Sequence, residues 1–120
     1  MDFVKEGYKV KGATVIKNLE KRNMEGYYFE TVKEAVEKAM SMIKQDDVVG
    51  WGGSTTIDQI GIKKLLEDKK ITVIDRDKVS DPKEKVKLMK KALTSDVFLT
   101  SANAITMDGE ILNIDGNGNR

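Results

Sequence analysis

Three short apolar runs, Val48-Val49-Gly50-Trp51, Ile71-Thr72-Val73-Ile74 and Val97-Phe98-Leu99-Thr100, are separated from one another by stretches of helical periodicity. Runs of this length without strict alternation suit strands buried on both faces. Strands joined through helices make right-handed crossovers, which impose a mainly parallel sheet with helices on both faces. The fold class is therefore α/β. A single domain over residues 1–120 is expected, because that length is near the commonest domain size and no repeat or low-complexity tract divides it.

The connecting helices can be placed from their caps and their apolar spacing. A loosely helical pattern runs from about Tyr8 to Met24, with Val15, Ile16 and Leu19 on one side, although Gly12 weakens it by about 1 kcal/mol relative to alanine. Gly26-Tyr27-Tyr28-Phe29 then reads as a short strand. Thr31-Val32-Lys33-Glu34 is a capping box, and Val32, Ala35, Val36, Ala39, Met40 and Ile43 follow at the spacing of one helix face. From Thr55 to Glu67 a helix carries Ile57, Ile60, Leu65 and Leu66. Ser80-Asp81-Pro82 opens another, with Pro82 at the first helical position and Val86, Met89 and Leu93 inward. Near the end, Asp108-Gly109 reads as a tight turn between two short strands.

Composition excludes several kinds of chemistry. The chain holds no cysteine and no histidine, so thiolate metal sites, disulfides and cysteine nucleophiles are ruled out within it. Acid–base work falls to Asp, Glu, Lys or Tyr. Lys and Arg number 21 against 20 Asp and Glu, a balance that argues against a nucleic-acid binder. No apolar run approaches the roughly 18 residues of a membrane span, and the acidic start Met1-Asp2-Phe3-Val4-Lys5-Glu6 lacks a secretory apolar stretch. A cytoplasmic location is the expectation.

Ligands of parallel α/β sheets gather beyond the carboxyl ends of the strands, and polar clusters stand at those ends here. Gly52-Gly53-Ser54-Thr55-Thr56 lies directly between a strand and a helix. Its glycines let the backbone approach a ligand, and its hydroxyls stand beside the exposed amides of a helix start. The same residues also suit a plain turn in which Ser54 or Thr55 caps the helix. The turn has no Gly-Lys-Ser/Thr ending, so it is not a Walker loop. Asp75, after the next strand, stands where a ribose-binding acid would, although Thr55 replaces the third glycine of a dinucleotide fingerprint. Ser101-Ala102-Asn103-Ala104-Ile105-Thr106 is the second cluster. Asn113-Ile114-Asp115-Gly116-Asn117-Gly118-Asn119-Arg120 is the third, equally suited to turns or to a polar ligand. Trp51 reads as core, and the many lysines of the later helices as solubilising charge, with Lys91 a candidate to reach an anion.

Three segments together resemble the lactate-utilisation (LUD) domain family: Gly52-Gly53-Ser54-x-Thr56-Ile57-x-x-Ile60-Gly61, Asp96-Val97-Phe98-Leu99-Thr100-Ser101-x-Asn103-Ala104-Ile105-Thr106-x-Asp108-Gly109-Glu110 and Asn113-Ile114-Asp115-Gly116-Asn117-Gly118-Asn119-Arg120. The resemblance implies a fold like that of the sugar-phosphate isomerase and coenzyme A transferase superfamily, whose members hold phosphorylated or acyl-thioester ligands at the turn matching residues 52–56. It also implies an association with the oxidation of lactate to pyruvate, beside iron–sulfur partner subunits. Members generally carry Glu where this chain has Gln59, and they continue beyond the position of Arg120. A short or C-terminally truncated member is therefore expected, with an open sheet edge that invites a homodimer.

Two functional readings follow. In the first, a small anionic metabolite or coenzyme is held by Gly52, Gly53, Ser54, Thr55, Thr56, Asn103, Thr106, Asn117, Asn119 and Arg120, with Asp115 as the best available base. The residues name no cofactor and no metal for this site. In the second, the chain is a non-catalytic interaction subunit of a redox complex whose partners carry the iron–sulfur chemistry.

Overall fold

The computed structural model describes residues 2–116 and 118. In chain order the elements are α1 (Phe3–Lys21), α2 (Val32–Ser41), β1 (Val48–Trp51), α3 (Thr55–Gln59), α4 (Ile62–Asp68), β2 (Thr72–Ile74), a 3-10 turn (Arg76–Lys78), α5 (Pro82–Ala92), β3 (Val97–Leu99), β4 (Ala104–Ile105) and β5 (Ile111–Leu112). The chain is α/β, as its pattern predicts. It gathers into two compact units: residues up to Glu37 with Ala102–Ile114, and Lys38–Ser101 with the described residues from Asp115 on.

The second unit is built on a parallel sheet in the order β2-β1-β3. Val49 pairs with Val73 on one side and Val97 on the other, and Trp51 pairs with Leu99. Asp96 fixes the near end of this register. Its carboxylate accepts from Val48 N–H at 2.8 Å while its own N–H donates to the Val48 carbonyl at 2.9 Å. Successive side chains of a strand face opposite ways, and β1 uses both faces. On one, Gly50 meets α5, where an added Cβ would come within 2.8 Å of Ala92 Cβ. On the other, Trp51 lies beneath Lys63 of α4. Helices thus cover both faces. Val49, Trp51, Ile57, Ile62, Leu66, Ile71, Ile74 and Ala92 form the core, with Val49 and Leu66 fully buried.

Several boundaries and faces differ from the sequence reading. The helix expected from Thr55 to Glu67 is two helices, because Gly61 adopts φ +77 and ends the first. The new phase buries Ile62 and Leu66 and turns Leu65 outward. In α5 the inward positions are Ala92 with the half-buried Leu88 and Met89, whereas Val86 and Leu93 are exposed. On α2 only Val36 and Met40 of the apolar face are buried, and Val32 and Ala35 are exposed. Thr31 does cap α2, accepting from Glu34 N–H at 3.2 Å, but its hydroxyl donates to the Glu34 carboxylate instead of leaving that carboxylate to the Thr31 amide.

The first unit contains α1 and the antiparallel β4–β5 hairpin, in which Ile105 faces Ile111. α1 begins before Tyr8 because the Asp2 carboxylate accepts from the N–H groups of Val4 and Lys5, an N-cap. The segment 26–29 is not a strand. Tyr28 lays its ring against Gly12, at 2.8 Å from the position a Cβ would take, and Gly26 closes on Ile16. The glycine that weakens α1 as a helix is the one that admits this ring. The expected turn at Asp108-Gly109 is present, with the Gly109 N–H donating to the Thr106 carbonyl at 3.0 Å. Asn18 and Arg22 of α1 hold the turn, donating to the carbonyls of Met107 at 2.7 Å and Asp108 at 3.2 Å.

Candidate functional site

The strongest polar constellation of the sheet unit stands beyond the carboxyl end of β1. Gly52 is buried, and its N–H donates to the Leu99 carbonyl at 3.4 Å, which carries the β1–β3 pairing one step past the strand. Gly53 and Ser54 are half-buried, and Thr55 and Thr56 are exposed. Ser54 is the N-cap of α3, its hydroxyl accepting from Ile57 N–H at 3.2 Å. Capping does not exhaust it. The Ser54 hydroxyl lies 2.8 Å from that of Ser101, just beyond β3. The parallel register of β1 with β3 brings this pair together: Trp51 pairs with Leu99, and Ser54 and Ser101 follow those strand ends by three and two residues.

Two hydroxyls carry two hydrogens, and their mutual bond uses one. The other has no partner among the described residues, and neither do the N–H groups of Thr55 and Thr56. Two further donors are buried and unbonded among the described residues: the indole N–H of Trp51, the residue before the turn, and the Nε–H of Arg76. Arg76 follows β2, the other neighbour of β1. Its guanidinium packs so closely on Gly53 that a Cβ there would meet Nη2 at 2.2 Å. Its nearest carboxylate among the described residues is Asp77, 3.8 Å from Nε.

Beneath the turn, Lys63 ties the surrounding helices together. Its ammonium lies 4.7 Å from the Trp51 ring centroid, pairs with Asp58 of α3, and reaches Asp77 at 3.4 Å. Partial burial opposes the charge on Lys63, but the hydrogen bonds and charges of Asp58 and then Asp77 outweigh it and raise its pKa above the ordinary lysine value. Asp75 is occupied locally, accepting from Asp77 N–H at 2.9 Å as the cap of the 3-10 turn.

The other expected site residues have different settings. Asn103 and Thr106 belong to the first unit and brace its hairpin. The Asn103 side chain accepts from Ile114 N–H at 2.9 Å, and the Thr106 hydroxyl accepts from Glu110 N–H at 3.0 Å. Asp115 belongs to the sheet unit and is half-buried. Asn117, Asn119 and Arg120 lie outside the described residues. Among the described residues no cluster of three or more His, Cys, Asp or Glu is placed to hold a metal ion. Two concavities of about 380 and 370 Å³ lie within the first unit, the larger lined by Tyr8, Leu19, Tyr27, Tyr28 and Met107 among others.

Ser101, Arg76 and Lys63 are not among the residues that the sequence assigns to ligand binding. Ser101 had a usable signal, since it ends a strand and opens a polar cluster. Arg76 and Lys63 had none, because a cation between acids, or in a lysine-rich helix, reads as surface charge.

Comparison with curated proteins and with solved structures gives no match. A family model described as the LUD domain matches residues 13–120, covering β1, its glycine-serine turn and the segments after β2 and β3. By that match the chain belongs to the LUD domain family.

Proposed function

We propose that the turn at residues 52–56, with Ser101, binds the oxygen-rich end of a small anionic metabolite, in keeping with the association of the LUD domain with lactate utilisation. One observation carries this reading. Five donors of the turn and its neighbouring residues have no partner among the described residues: one serine hydroxyl hydrogen, two backbone N–H groups, an indole N–H and a guanidinium N–H. A buried donor without an acceptor costs about 1–3 kcal/mol, and a carboxylate or phosphate supplies acceptors at several donors together. Calorimetric titration with L-lactate, pyruvate, inorganic phosphate and coenzyme A tests it. Binding of at least one, weakened several-fold in the double substitution Ser54→Ala and Ser101→Ala, is expected. Equal affinity in that variant rejects the site.

The second reading, an interaction subunit of a redox complex with iron–sulfur partners, is favoured by α1. This 19-residue helix has no buried residue, and Phe3, Val4, Tyr8 and Val10 are all exposed. Solution mass across a concentration series distinguishes self-association, including a homodimer, from a chain that awaits a different partner.

A further inference from the structure

The proposed anion site leaves open which side chain reads the charge. Beyond that reading, and resting on it, we propose that Arg76 is the specificity-determining residue, presenting its guanidinium to one oxyanion group, carboxylate or phosphate, of the ligand, and that position 53 is glycine to admit it. Arg76 has a side chain only 19% exposed, so its charge is held against the protein and not in bulk water. Its Nε–H is buried with no hydrogen-bond acceptor among the described residues. The one carboxylate near it among the described residues, Asp77, approaches only to 3.8 Å and has its other oxygen on Lys63. A planar guanidinium in this condition is suited to two parallel bonds to a carboxylate or phosphate.

The contact with Gly53 sets the direction of approach. Any side chain at position 53 would take the place of Nη2, 2.2 Å from an added Cβ. The guanidinium therefore stands against the backbone immediately before Ser54, the serine whose hydroxyl is paired with Ser101. Lys63 takes up one oxygen of Asp77, and the other oxygen of that acid stays 3.8 Å from Arg76 Nε.

The experiment is a double-substitution cycle on the whole chain, read by calorimetric titration with inorganic phosphate and, separately, with L-lactate. Arg76→Gln is expected to weaken the bound probe at least tenfold and to flatten its salt dependence, with Arg76→Lys intermediate. Gly53→Ala is expected to give a similar loss with Arg76 present and almost none in the Arg76→Gln background, because its effect runs through the displaced guanidinium. The phosphate and lactate arms show which oxyanion is preferred. Wild-type binding kept within twofold in Arg76→Gln overturns this inference and leaves the anion site standing. An equal Gly53→Ala loss in both backgrounds also overturns it. Failure of the wild type to bind either probe at tens of millimolar rejects the anion reading and this inference together. Thermal melts establish that each variant folds, and where Arg76→Gln does not, Gly53→Ala against Arg76→Lys carries the same comparison.

Discussion

The two units solve the problem of burial differently. In the sheet unit, short strands and helices share a core of fully enclosed aliphatic side chains, and a 2% exposed tryptophan closes it beneath the glycine turn. In the first unit a long helix contributes no buried residue. Its order comes from end caps, from carbonyls held by Asn18 and Arg22, and from a tyrosine ring seated on Gly12. Burial is the dominant stabilising term of folding, while a typical internal hydrogen bond adds only about 0.5–1.5 kcal/mol. The lesson is that a regular helix is not by itself a stable region. The buried donors without a partner among the described residues, on Trp51 and Arg76, are held by the better-packed unit.

The contrast is broken most forcefully by cavities. Leu66→Ala should cost about 2–5 kcal/mol, as large-to-small changes at enclosed sites do, whereas Val10→Ala on α1 should stay within about 0.5 kcal/mol. Urea unfolding measures both, and comparable losses would erase the distinction. Gly50→Val is expected to be as damaging as the core truncation, because its side chain must enter the space of Ala92. Hydrogen exchange should then rank the regions, with Val49 and Gly50 amides among the slowest and those in the middle of α1 faster. Equal protection would mean that α1 is buried against something in solution.

A finer probe lies at Gly12. Gly12→Ala should gain about 1 kcal/mol of helix propensity, yet the new Cβ would crowd the Tyr28 ring. The substitution is expected to destabilise the chain as it stands and to stabilise it by about 1 kcal/mol in a Tyr28→Ala background. Thermal unfolding monitored by circular dichroism checks this change of sign. The smallest effect expected is at high pH. Because Asp58 and Asp77 raise the Lys63 pKa in the folded chain, that pair's contribution is complete below the unfolded lysine value of about 10.4. It is lost as pH rises through the higher folded value. Asp58→Asn should therefore reduce the alkaline loss of stability, and unfolding curves on either side of that value would detect it.

Much of the sheet unit was legible in the chain because strand-length apolar runs are strong signals. Val48, Ile71 and Val97 open segments whose strands form within a residue of their expected bounds. The helix from Thr55 was misjudged because Ile57, Ile60, Leu65 and Leu66 kept an approximate period across Gly61, which in fact resets the phase. The strand expected at 26–29 failed because its aromatics pack on α1 and not in a ladder. The site was legible only in part. Gly52, Gly53 and Ser54 announce themselves locally, but the nearness of Ser101 and Arg76 depends on β1 lying between β2 and β3. No local pattern encodes that order. It emerges from how the crossover helices share the two faces.

That order has a consequence for how the surroundings of the glycine turn can change. From β1 the path goes to β2 on one side, then passes back across to β3 on the other, so the winding reverses at the middle strand. Arg76 follows the strand on one side of β1 and Ser101 the strand on the other. Each of these two loops can be redrawn by substitution while the strands beneath keep their pairing, so the polar surroundings of the turn are adjustable without rebuilding the scaffold.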